Sequence, residues 1–149
     1  MFQRMKFFVS LAIVVSLSGC ASSTYFAQHS SNSHEATVYV IREHAEPIAW
    51  NMNILVDNKK AASVANHSFV RFSVPAGQHR FAFDWPILAA SPTVRANISF
   101  KGGETRYFVV SGTSRVTGFY VVVLVTTQST RVVEVTREDG EKLIQQLKK

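Results

Sequence analysis

From Ala36 onward apolar residues recur at every second position, and this spacing restricts the chain to half-buried β-strands. Residues 93–101 alternate without a break: Val94, Ala96, Ile98 and Phe100 on one side, Arg95, Asn97, Ser99 and Lys101 on the other. Residues 78–85 set Phe81, Phe83 and Trp85 opposite Arg80, Ala82 and Asp84, and residues 68–74 send Val70, Phe72 and Val74 inward. Successive side chains of a strand point to opposite faces, so each segment offers one face to a core and one to water. Further strands are predicted at residues 37–42, 51–57, 105–111 and 131–136. Residues 116–127 contain the run FYVVVLV at 119–125, too short and too β-branched for a membrane-crossing helix. It reads as one strand, buried on both faces at the centre of its sheet, and as an aggregation hazard if exposed during folding.

Three connections carry hairpin chemistry. Lys101-Gly102-Gly103-Glu104 offers a two-residue turn tolerant of positive φ, Asp57-Asn58 offers another, and Pro75-Ala76-Gly77 makes a longer loop. The C-terminus changes period. Thr136 precedes acidic residues, then Leu143, Ile144 and Leu147, then Lys148-Lys149, which predicts a capped amphipathic helix over residues 137–148. Its apolar stripe would pack on the strands. The expected fold is mainly β: an antiparallel β-sandwich of about seven to nine strands with one short C-terminal helix.

The N-terminus reads differently. Arg4 and Lys6 precede an 11-residue apolar run, residues 7–17 (FFVSLAIVVSL), followed by Ser18, Gly19 and Cys20. A positive head, a short apolar middle and small residues at the end form the layout of a secretory signal. Leu17-Ser18-Gly19-Cys20 at that place resembles the lipobox of bacterial lipoproteins, in which the cysteine is acylated and becomes the first residue after cleavage. The alternative is an ordinary cleaved signal with an unrelated cysteine. Acylation accounts for a secreted chain keeping its single cysteine, which excludes any intramolecular disulfide. Each buried acyl CH₂ contributes about 0.8 kcal/mol, so the several chains implied by the resemblance give a stable anchor. The residue after the cysteine is Ala21, which by the bacterial sorting pattern points to the outer membrane.

Domain boundaries follow: residues 1–19 are a lipoprotein signal peptide, residues 20–35 the acylated cysteine and a flexible serine-rich tether, and residues 36–149 the sandwich with its helix. The 149-residue chain carries a net charge of +6; losing Arg4 and Lys6 with the signal leaves +4 on 130 residues. That suffices for one domain and for mild attraction to anionic surfaces. His29 and His34 in the tether read as solvated residues.

A second resemblance rests on four segments in order: Val38-Tyr39-Val40-Ile41-Arg42, then Ile54-Leu55-Val56-Asp57-Asn58-Lys59, then Phe72-Ser73-Val74-Pro75-Ala76-Gly77-Gln78-His79, then Gly103-Glu104-Thr105-Arg106-Tyr107-Phe108. Together they resemble a family of small bacterial lipoproteins catalogued only as a domain of unknown function. The Val74–His79 stretch is also similar to PEGA-type surface modules. The resemblance implies a transthyretin-like or PEGA-like sandwich in the cell envelope and no activity.

Chemistry is sparse. The sequence holds no G-x-S-x-G, H-E-x-x-H, G-x-x-x-x-G-K or C-x-x-C pattern, and acylation of Cys20 removes thiol catalysis. No catalytic or metal-ligating set and no cofactor is expected. Glu43, Glu46, Asp57, Asp84 and Glu104 are scattered, which leaves spatial pairing open. His44, His67 and His79 read as surface or rim residues without partners, His67 in a turn. The loop 86–92 (PILAASP) either folds over the open end of the core, the plainer expectation, or offers Trp85, Ile87 and Leu88 to a partner or membrane face. No basic stripe with interleaved aromatics points to nucleic acid.

The functional expectation is a membrane-anchored periplasmic lipoprotein presenting a non-catalytic interaction module to an envelope protein or a cell-wall polymer. The alternatives are a structural envelope protein that assembles with itself and a small wall or lipid hydrolase using acids such as Asp84.

Overall fold

The computed structural model describes residues 34–120 and 123–149, so Leu17, Ser18, Gly19, Cys20 and nearly all of the tether lie outside the described residues. Eight strands and one helix follow in order: β1 Glu35–Arg42, β2 Met52–Val56, β3 Lys59–Val64, β4 Ser68–Pro75, β5 Gly77–Asp84, β6 Val94–Phe100, β7 Thr105–Tyr120, β8 Val123–Val135 and α1 Arg137–Leu147. They form two four-stranded sheets, β4-β1-β7-β8 and β3-β2-β5-β6. The fold is therefore mainly β with a short C-terminal helix. β1 begins one residue inside the expected tether, because Glu35 pairs opposite Pro75. All pairings are antiparallel except β1 with β7, which run parallel from Thr37↔Thr105 to Ile41↔Val109.

The period-two pattern decides what is buried. Phe81, Phe83 and Trp85 of the β5 register meet Val38, Val40, Phe72, Val74, Phe108 and Val110 of the opposite sheet in one core. Phe81 is the hub: its ring centroid lies 5.5–6.5 Å from those of Phe72, Phe83, Phe100 and Phe108. Tilted aromatic pairs at such separations add to the stabilisation from burial.

The other face of the β4-β1-β7-β8 sheet is covered by α1. Thr136 caps the helix, its hydroxyl accepting the Asp139 N–H at 3.2 Å. Ile144 is buried with Ile41 and Tyr107, and Leu143, Leu147, Tyr39 and Phe69 pack around them. Gly140 is the contact point, since a Cβ there would overlap the Tyr107 ring and its Cβ. In an exposed helix alanine is the better residue; here Gly140→Ala is expected to lower stability by about 1–3 kcal/mol through overpacking, measured as a fall in Tm.

Three expectations need correction. Of the three proposed hairpins only Asp57-Asn58 is one, with both residues at positive φ (51° and 65°) joining β2 to β3. The Gly102-Gly103 turn joins β6 to β7, and the Ala76-Gly77 corner joins β4 to β5; these pairs lie in different sheets. Turn residues specify a local reversal, but not whether the next strand stays in the same layer. β3 was also not expected, because Lys59-Lys60-Ala61-Ala62 carries little hydrophobic alternation. Finally, the run 119–125 does not form one central strand. Phe119 and Tyr120 end β7, Val123 to Val125 begin β8, Tyr120 pairs with Val123, and β8 is an edge strand. A uniformly apolar run holds no turn signal to mark where strands divide.

Candidate functional site

The parallel β1/β7 pair gives the sandwich two distinguishable poles. At the near pole the chain arrives from the N-terminus: the His34 and Glu35 carbonyls accept from Ala76 and Gly103 N–H groups, each at 2.8 Å. At the far pole β1 stops at Arg42 while β7 continues to Tyr120. Residues 113–120 and their partners from Ser129 back to Val123 pair only with each other, with a bulge between Val116 and Gly118. This two-stranded arm reaches about 25 Å past its base, at roughly 3.3 Å per residue.

Around the base of the arm lie the loop between β1 and β2 and the loop 86–92. The Glu46 N–H donates to the Gly112 carbonyl at 3.2 Å, and no Cβ fits at Gly112 because the Glu46 carbonyl oxygen occupies the space. The Trp85 indole N–H donates to Thr130 Oγ1 at 2.9 Å, and Ser91 Oγ lies 3.0 Å from the same hydroxyl. Trp85 is thus buried, 4% exposed, and belongs to the core rather than to a contact surface. Its position two residues beyond Phe83 on the inward register required this. The next two residues turn outward: Ile87 is 94% exposed and Leu88 77%, while Ala89 alone fills the space beneath the short 3₁₀ turn Ile87–Ala89. Ile48, 51% exposed, lies on the neighbouring loop. Three of the four large exposed apolar side chains among the described residues thus gather at the far pole. Scattered exposure is ordinary; here the exposed apolar side chains are concentrated at one end of the sandwich.

Arg42 builds this pole. It follows Val38 and Val40 on the core face of β1, and its side chain is fully buried. Its Nη1 donates to Trp50 O at 2.7 Å and Val64 O at 3.4 Å; Nη2 donates to Ala45 O and Pro47 O, each at 2.7 Å. The guanidinium also lies 4.7 Å from the Trp85 ring centre. Its Nε has no partner. Burial lowers its pKa from the ordinary arginine value, and Glu46 opposes that fall. The arginine therefore holds the loop between β1 and β2 by its carbonyls, in place of secondary structure. Alternation alone placed Arg42 inward in the sequence, and that was the signal available.

Arg106 closes the opposite end. Its guanidinium stands 5.1 Å from the Phe100 ring and 5.6 Å from Phe108, donates to Ser99 O at 2.8 Å and pairs with Glu134. That partnership raises its pKa further.

The histidines are not partnerless. His79 bridges Asp57 Oδ2 at 2.6 Å and the Pro75 carbonyl at 3.0 Å, fastening the β2–β3 turn to the start of β5. Asp57 also accepts the Arg80 N–H at 2.9 Å; the His79 bond first, then this one, hold its carboxyl below the usual carboxylate range. An open polar depression of about 390 Å³ beside them is lined by Asp57, Gln78, His79, Arg80 and Asn97. His44 and His67 contact each other at the far pole, Nδ1 to Nε2 at 3.3 Å. The acids are separated. Glu46 accepts from Ile48 N–H, Asp84 from the Thr93 hydroxyl and Glu104 from Lys101 N–H, so each serves its own loop or strand end.

Among the described residues no helix is long and apolar enough to cross a membrane. Comparison of the chain with models of protein families, with curated proteins and with solved structures gives no match.

Proposed function

We propose that this chain is an envelope lipoprotein, anchored through acylated Cys20, that presents its far pole to a partner in the periplasm. The signal layout ending in Leu17-Ser18-Gly19-Cys20 supports the anchor, and with it the envelope compartment. One geometric observation carries the presentation. The chain arrives at one pole, while Ile48, Ile87, Leu88 and the arm stand at the other. The chain joins the domain through β1 at the near pole, so in an anchored domain the far pole is the end left free to face away from the membrane. The partner is an envelope protein or a cell-wall polymer, and the module acts by binding rather than by catalysis.

Two measurements test this. Labelling with a fatty-acid analogue is expected to mark the wild type and to be lost in Cys20→Ala, with the protein leaving the membrane fraction. Label that persists in Cys20→Ala, or soluble wild-type protein, would overturn the anchor. A photo-crosslinking side chain at Ile87 or Leu88 is expected to capture a partner in intact cells, whereas one at Arg95 on the outer sheet face is not. Equal yields from both faces would reject the far pole.

A second reading has its own observation. Among the described residues β8 is an edge strand and β7 has no strand partner on its other side beyond Val109, so both sides of the arm are open edges. Such edges pair with further strands, which favours a structural protein that assembles with copies of itself. Light scattering at cellular concentration decides: assemblies support this reading, a monomer removes it.

A further inference from the structure

We propose that His44 and His67 form a two-imidazole binding site for a divalent transition-metal ion that takes tetrahedral coordination, with zinc as the class. The two residues come from different loops, after β1 and between β3 and β4. Their nitrogens are nevertheless 3.3 Å apart, with ring centres 5.2 Å apart and planes inclined at 49°. Two imidazole nitrogens bound to one tetrahedral zinc at about 2.0–2.1 Å are separated by about 3.3–3.4 Å. A square-planar ion would bring them to roughly 2.9 Å, so the observed spacing lies nearer the tetrahedral value.

The two loops are held together before any ion arrives. The neighbour of each histidine is joined to the neighbour of the other: the Ala45 N–H donates to Asn66 Oδ1 at 3.0 Å. Ala45 is itself buried, its carbonyl held by Arg42. His67 takes a left-handed conformation (φ 52°) in a turn that Ser68 closes by donating to the Ala65 carbonyl at 2.8 Å. Both side chains are exposed, so an ion reaches them without opening the core. In the free protein a hydrogen bond joins the two nitrogens. An ion takes its place and requires each ring to turn by about 35°, the angle between a tetrahedral metal–nitrogen bond and the line joining the nitrogens. Among the described residues no group of three or more His, Cys, Asp or Glu side chains is placed to hold a metal. The remaining coordination positions are therefore open to water or to a donor from another molecule. This site does not depend on the lipid anchor.

Zinc titration by calorimetry tests the proposal on the full-length protein in detergent. It is carried out in a His29→Ala/His34→Ala background, because those histidines lie close together in sequence. One zinc ion per chain is expected, with affinity falling at least tenfold in His44→Ala and in His67→Ala, and no binding of magnesium. Both substitutions are at exposed positions, and unchanged thermal unfolding without metal verifies that the fold is kept. Absence of zinc binding in the parent, or unchanged affinity in either single variant, would overturn it.

Discussion

Replacing Arg42 with methionine is expected to destabilise the domain by about 3–5 kcal/mol, read as a shift of the denaturant midpoint at constant m-value. Exchanging a buried charge for an apolar side chain of similar size is often neutral, because desolvating a charge is costly. Arg42 differs in what it leaves behind. Its acceptors are main-chain carbonyls of Ala45, Pro47, Trp50 and Val64, which no side-chain substitution removes. Each carbonyl buried without a donor costs about 1–3 kcal/mol. Lysine in the same place is expected to recover only part of the loss, since one ammonium does not span carbonyl acceptors arranged around a planar fork. Hydrogen exchange in residues 43–51 is expected to rise in both variants. If Arg42→Met proved neutral, the loop would have to be held by something else.

Phe81→Ala is expected to cost about 3–5 kcal/mol, the range for removing a fully buried aromatic side chain. Phe81 is 0% exposed and faces Phe72 and Phe108 from one sheet and Phe83 and Phe100 from its own. The cavity therefore opens between the layers, where neither sheet can close it without moving as a body. Thermal unfolding should show a fall of about 10–20 °C. Phe81→Leu retains most of the apolar volume and is expected to lose less than half as much. Equal losses for the two variants would show that the ring acts through its shape rather than through the volume it fills.

What the sequence revealed follows from how locally each feature is determined. Strands β4, β5 and β6 are legible because residues 68–74, 78–85 and 93–101 send apolar side chains to one face at every second position, and the same alternation predicts their buried faces. The helix was legible because Thr136, the acids and Leu143, Ile144 and Leu147 keep a helical spacing. The assignment of strands to layers was not, since Gly77 and Gly103 supply positive φ (131° and 77°) whether the chain reverses in plane or crosses over. The far pole was only half legible. Ile87 and Leu88 stood out as apolar residues in a loop, but Trp85 belonged to the core and Arg42 carried no sign of its carbonyl partners. The His44–His67 contact spans 23 positions and exists only because Asn66 reaches Ala45. No spacing rule finds such a pair.

The parallel pairing of β1 with β7 also sets an order in time. Thr37 and Thr105 are neighbours in the sheet yet stand 68 positions apart in the chain. As the chain is synthesised from its N-terminus, β1 and β4 can meet early, but the other half of their sheet stays vacant until β7 has emerged. The β3-β2-β5-β6 sheet needs nothing beyond Phe100 and can assemble first. Contacts of such long sequence separation slow folding. The last strands to arrive are those carrying FYVVVLV, so the segment most prone to cross-strand aggregation emerges only after the rest of its sheet is available to anchor the base of the arm.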